Sequence, residues 1–274
     1  MKTFQRVLVV AVLALPLPAL SEAIAFITNL RGEVALDGSP RPLLLAELSK
    51  GQRITLGREA SASVMFIASG KEYLLKGPGE YQVRDTEMTG STPMPPMVRS
   101  TDWRASNKVL VQVAQTSAAS VRMRSIAKAR EEPRLIFPTE GSIATLQPTF
   151  RWRADPAEAG ELAVHVLGQD KPVHVAKVKG ASYRLPVRLN PASDYVWSYA
   201  VAGSEVGAGR FRTVPEEALR QVELKRPADK AEFSDRLLFA LMLREMGATQ
   251  EAREVWARLA AERADLPELA AMAK

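Results

Sequence analysis

The stretch "LLKGPGEYQV", residues 74–83, sets Lys76 ahead of Gly77, Pro78 and Gly79, between two strand-like runs. Two readings compete: a glycine-rich loop that cradles a phosphate, or a turn within a β-structure. A phosphate loop needs a strand, four residues between its glycines, then Lys and Ser or Thr opening a helix. Here Lys76 precedes the glycines, no helical period follows, and Glu80 would repel a phosphate. A dinucleotide fingerprint needs three glycines in a βα turn, and Gly77-Pro78-Gly79 has neither that spacing nor the helix. The stretch therefore reads as a turn, with Pro78 presetting φ and the glycines taking positions where φ is positive.

Outward from it, residues 24–85 read as short strands with turn punctuation. Asp37-Gly38 marks one turn, Gly51 and Gly57 flank the alternating Ile54 and Leu56, and Ser69-Gly70 joins two apolar runs into a hairpin that ends at Leu75. The spacing predicts a small all-β domain. Gly32-Glu33-Val34, the Gly51 to Gly57 segment, Ala60-Ser61 before an apolar strand, and the closing Gly77-Pro78-Gly79-Glu80-Tyr81 follow one another in an order that resembles a FecR-type domain. The resemblance implies an extracytoplasmic, non-catalytic β module that senses or relays a signal at the cell envelope. Iron-regulatory members of that family also carry a cytoplasmic anti-sigma segment and a membrane helix. Only Met1 to Arg6 precede the apolar run here, so the resemblance does not reach that segment.

Residues 86–133 read as a linker followed by a helix. Ser, Thr and Pro dominate its start, around Pro93-Met94-Pro95-Pro96. Met88, Met94 and Met97 are thioethers of the kind that bind copper(I), but no histidine or further methionine completes a site, and gap-filling methionines are the favoured reading. Leu110, Ala114, Ala118 and Val121 then recur at helical spacing, predicting a helix over 107–130 with a basic end.

Residues 134–214 return to short strands every 8–12 positions, the pattern of a β-sandwich. Trp152 after Pro148-Thr149-Phe150, and Tyr195 after Leu189 and Pro191, are similar to the core tryptophan and the tyrosine corner of fibronectin type III domains. The resemblance implies an adaptor or spacer without chemistry of its own, and a Tyr195 hydroxyl bonded to nearby backbone. The chain's two histidines, His165 and His174, fall in one predicted hairpin, each between valines. Facing each other they would make two metal ligands without a third, so two half-exposed polar residues are favoured over a metal site.

Residues 215–274 turn helical, rich in Ala, Leu, Glu and Arg. The spacing predicts a short helix from Pro215, a second over 229–246 with Phe233, Leu237, Ala240 and Leu241 on one face, and a third capped by Thr249. Phe239-Ala240, Leu243, Gly247, Ala252, Trp256 and Leu259 resemble one tetratricopeptide repeat. A single repeat does not stand alone, so this hairpin must pack on the sandwich or on a partner.

The ends and the composition set the class. Lys2 and Arg6, the apolar run Val7 to Leu20, and the small residues Ser21 and Ala23 read as a signal peptide over 1–23. That run falls short of the roughly 20 apolar residues that cross a bilayer, and no later segment reaches that length. Export places the protein in the periplasm, where a chain with no cysteine depends on core packing alone. The net charge of +6 drops to +5 with the signal removed, which in an exported protein excludes nucleic acid as a partner. Without a cysteine, and without a Gly-x-Ser-x-Gly elbow beside a histidine, nucleophilic catalysis has no visible machinery. The reading is a mainly β, multi-domain protein: no enzyme, no cofactor, no catalytic or metal residue, binding residues unknown. Its function is an envelope signal-relay or scaffold with a membrane or envelope protein as partner. The alternative is peptidoglycan or glycan binding, with Tyr73, Tyr81, Trp103 or Tyr183 as exposed stacking faces.

Overall fold

A computed structural model describes residues 23–90, 94–101, 103, 134–155, 158–228 and 230–274. The expected signal peptide and the expected helix over 107–130 lie outside these residues. The chain is mainly β, with two β units and a helical layer.

The first unit pairs two five-stranded antiparallel sheets. One has the order β10 (Met97–Ser100), β7 (Lys71–Lys76), β6 (Ser61–Phe66), β1 (Ala25–Arg31), β4 (Glu47–Leu48). The other runs β3 (Ser39–Pro40), β2 (Val34–Leu36), β5 (Arg53–Leu56), β8 (Gly79–Val83), β9 (Met88–Gly90). Alternation aims Ala25, Ile27, Phe66 and Leu75 at Ile54, Leu56, Tyr81 and Val83, and these fuse into one core. Within the stretch read as linker, Met88–Gly90 and Met97–Ser100 instead supply an edge strand to each sheet, β9 against β8 and β10 against β7. Their Pro-rich flanks hid two strands too short for a period-2 signal to emerge.

The decisive stretch 74–83 is the end of β7, a turn, and all of β8. It is a turn as predicted, for a different reason. Neither Gly77 nor Gly79 has positive φ. A Cβ on Gly77 would overlap the carbonyl oxygen of Gly57, so glycine is required by close backbone approach. The Tyr81 hydroxyl, buried, closes the turn by donating to the Lys76 carbonyl at 2.6 Å.

The second unit is a sandwich of a three-stranded sheet, β11 (Leu135–Phe137), β13 (Thr149–Trp152), β16 (Ser182–Arg184), on a five-stranded one. The latter runs β12 (Ser142–Ile143), β18 (Ser204–Thr213), β17 (Asp194–Val201), β14 (Ala159–Val166), β15 (Pro172–Lys179). Aromatics fill it: Trp152 stacks on Tyr199 with centroids 4.8 Å apart, and Phe150 tilts on Trp197 at 4.7 Å. Pro191 and Ala192 lead into β17, and the Tyr195 hydroxyl accepts a bond from Asn190 N–H at 2.9 Å.

Four helices follow: α1 (Glu216–Lys225), α2 (Phe233–Glu245), α3 (Thr249–Glu262) and α4 (Pro267–Met272), the last not anticipated. Thr249 is the first helical residue of α3 rather than its cap, and no side chain caps that end. Gly247, at φ +78°, ends the preceding turn where a residue with a Cβ would be strained. Helix α2 departs from the one-faced pattern, because Leu237 through Leu243 are all buried. A helix apolar all round is a core helix. Its surroundings explain it: one core joins Leu237, Leu238, Ala240 and Leu241 to Phe26 and Met65 of the first unit and to Leu146 and Val214 of the second.

Candidate functional site

Two polar clusters weld the helical layer to the first unit. The register across β1, β6, β7 and β10 aligns Phe26, Met65, Glu72 and Arg99 in one row on the face that meets α2. Glu72, only 1% exposed, accepts from Thr28 Oγ1 at 2.7 Å and from Arg99 Nε at 2.9 Å. The same guanidinium reaches Asp235 Oδ2 at 2.7 Å and Ser234 Oγ at 2.9 Å on α2. Burial alone would lower the Arg99 pKa, but its bonds to Asp235 and Glu72 outweigh burial and hold it above the ordinary value. At the far end of α3, Arg263 donates to Asn29 Oδ1 at 2.6 Å and to Asp265 Oδ1 at 2.8 Å, and lies over the Phe233 ring.

A third cluster ties the start of α3 to the sandwich. Ser142 N–H donates to Gly247 O at 3.0 Å, and Gln250 exchanges two bonds with Thr139, each 2.8 Å. Glu251 Oε2 accepts from Ala144 N–H at 2.7 Å. Burial of this carboxylate pushes its pKa up to about 7, against the Ala144 N–H and the nearby charge of Arg226, which favour the ionised form.

Between these welds the helices border an open cleft of about 260 Å³. Arg226, from the loop after α1, Arg236 on α2 and Arg258 on α3 line it together. Pro227, Ala228, Phe239, Val255 and Leu259 supply an apolar wall. Helical spacing sets Val255, Arg258 and Leu259 on one side of α3, while α2 turns Arg236 and Phe239 to the same space. Arg236 pairs with Glu262 at 2.7 Å, yet its buried Nε–H has no acceptor. Arg226 lies over the Phe239 ring at 5.8 Å, and Arg258 Nε donates to Glu254 O at 3.3 Å. Among the described residues no carboxylate stands within ion-pair distance of Arg226 or Arg258. Leu224, 72% exposed, stands next along the chain, where a second hollow shares Arg226, Pro227 and Ala228.

The aromatic faces expected on the surface are mostly inside. Tyr73, Tyr81 and Trp103 are buried and offer no stacking face, a correction caused by the second sheet and the helical layer covering them. Tyr183 is half-buried, its hydroxyl 2.8 Å from His174 Nε2 with the rings stacked. His174 is register partner to Val164, whereas His165 sits opposite Pro172 after a bulge, so the histidines do not face each other. Met88 is buried, and Met94 and Met97 are exposed. Among the described residues no group of three His, Asp or Glu side chains converges on a metal position, and no helix is long and apolar enough to cross a membrane. Sequence spacing carried no sign of the arginine cleft. Its arginines stand 10 and 22 residues apart on three elements, and only the packing of α1 to α3 brings them together.

No family model matches the chain, and no curated protein is significantly similar to it.

Proposed function

We propose that this chain is an exported, non-catalytic binding protein of the bacterial envelope that acts as a scaffold or signal relay. The observation that carries the reading is the arginine-lined, apolar-walled cleft on a helical layer bonded to both β units. Arg99 and Glu251, whose titration is shifted, both stand in contacts that bond the helical layer to the β units, which supports a scaffold.

The component readings keep their support. The FecR-like motif order falls on β1 to β8 of a small two-sheet unit. The three-on-five strand grouping, Trp152 in the core and the Tyr195 bond to Asn190 favour a fibronectin type III-like sandwich. The α2–α3 pair, with Ala240, Ala252 and Trp256 buried, favours a tetratricopeptide-like hairpin. Periplasmic export rests on the N-terminal sequence alone.

The test is retention from detergent-solubilised envelope by the chain from residue 24 onward, with and without lysozyme digestion of the wall. A membrane or envelope protein held by the native chain and released by Arg226→Ala/Arg258→Ala supports the reading. Retention of wall fragments alone, equal for both forms, replaces it with glycan binding.

A further inference from the structure

We propose that the cleft binds the C-terminal residue of a peptide, with the free carboxylate on Arg226 and Arg258 and an apolar side chain against Phe239, Val255 and Leu259. The inference rests on the reading of the chain as a binding protein and names the chemistry of its ligand.

The charge balance leads first to an anion. Three guanidiniums share one space, and among the described residues only Arg236 has a carboxylate within ion-pair distance, Glu262 at 2.7 Å. Of the neighbouring acids on α3, Glu254 pairs with Arg151, and Glu251 accepts from Ala144 N–H, near enough to Arg226 to feel its charge but not within ion-pair distance. Arg226 and Arg258 are both exposed, so an incoming anion can reach the two guanidiniums from solvent. An arginine fork takes a carboxylate through two parallel bonds, which makes it the residue suited to that task.

The wall then separates the kinds of anion. Phosphate or sulfate keeps its own water and gains nothing from Phe239, Val255 and Leu259. A ligand with an apolar group beside its charge removes water from that wall and is favoured in proportion to the area covered. The volume limits its size. About 260 Å³ lies below the roughly 300–1,000 Å³ of sites for drug-sized ligands, so one residue fits better than a long acyl chain. A chain terminus ending in an aliphatic or aromatic residue joins a carboxylate to one apolar side chain. The exposed Leu224, next to the loop that carries Arg226, offers a contact for the residue before it.

The experiment is fluorescence anisotropy of the chain from residue 24 onward with labelled hexapeptides ending in Leu, Val or Phe. Each is prepared as the free acid and as the amide, with inorganic phosphate and laurate as competitors. At least one free acid is expected to bind, with amidation weakening it about tenfold or more, as loss of a charge-assisted pair requires. Arg226→Ala/Arg258→Ala is expected to weaken the free acid similarly with an unchanged thermal transition, and Arg226→Lys/Arg258→Lys to retain part of the affinity. Equal binding of acid and amide overturns the proposal, as does displacement by equimolar phosphate or by laurate. If no free acid binds while the envelope experiment still retains a protein, this inference fails and the broader reading stands. If that retention is also absent, both fail.

Discussion

A methyl group on Gly77 meets backbone, the Gly57 carbonyl, and backbone does not swing aside as a side chain does. Gly77→Ala is therefore expected to cost roughly 2–4 kcal/mol, read as a lowered denaturation midpoint. Gly38→Ala tests a different cause, since Gly38 has open space around its Cβ position and only its φ of +79° to lose. It should cost about 1 kcal/mol. If Gly77→Ala proves the milder of the two, close approach is not what Gly77 serves. Glu251 carries a pH prediction. Its folded pKa of about 7 stands above its ordinary 4.5, so the stabilisation is complete below pH 4.5 and is lost as pH rises through 7. The loss should amount to about 1–3 kcal/mol between those limits. Glu251→Gln keeps the acceptor for Ala144 N–H and removes the titration. Its thermal transition should flatten across that window, and an unchanged pH dependence would remove Glu251 as the cause.

At the scale of elements, α2 is the piece most sensitive to truncation. Leu238, fully buried, contacts a core assembled from three parts of the chain that cannot all collapse inward together. Leu238→Ala should cost about 2–5 kcal/mol in chemical denaturation. A cost under about 1 kcal/mol would mean that α2 is covered on one face only. The strands show which element signals survive in sequence. The hairpins β6–β7 and β14–β15 were legible because strand-length runs, apolar in the first and alternating in the second, flank a Gly turn, Gly70 and Gly168 both at positive φ. Strands β9 and β10, of three and four residues, were not, because edge strands tolerate proline nearby and bury little that a pattern can report. In α2 the run Leu237 to Leu243 did signal burial on every side. The helical period was matched to one face because its third neighbour, the first β sheet, lies some two hundred residues away in sequence.

At the scale of the molecule, Arg99 decides whether the first unit and the helical layer hold one arrangement. Arg99→Ala leaves the Glu72 carboxylate buried with Thr28 as its remaining partner, a situation that costs roughly 3–5 kcal/mol. Placed in a Glu72→Gln background, the same substitution should cost much less, because the charge left behind is gone. The double-mutant cycle measures this, and additive costs would show that the pair does not couple the two parts. Hydrogen exchange on the same variants should loosen α2 together with β7 and β10, the elements that the cluster joins.

What the sequence determined by itself is local: the β character of residues 24–85 and 134–214, their turns, the helical end, and the placing of Trp152 and Tyr195. Those depend on periodicity, turn chemistry and side-chain size within about ten residues. The tertiary structure alone decided the rest. It turned a linker into two edge strands, made a one-faced helix a core helix, and buried Tyr73, Tyr81 and Trp103. It also gathered Arg226, Arg236 and Arg258 around one cleft. Each of these outcomes depends on which distant surface covers a side chain, and a surface exists only after the chain has folded.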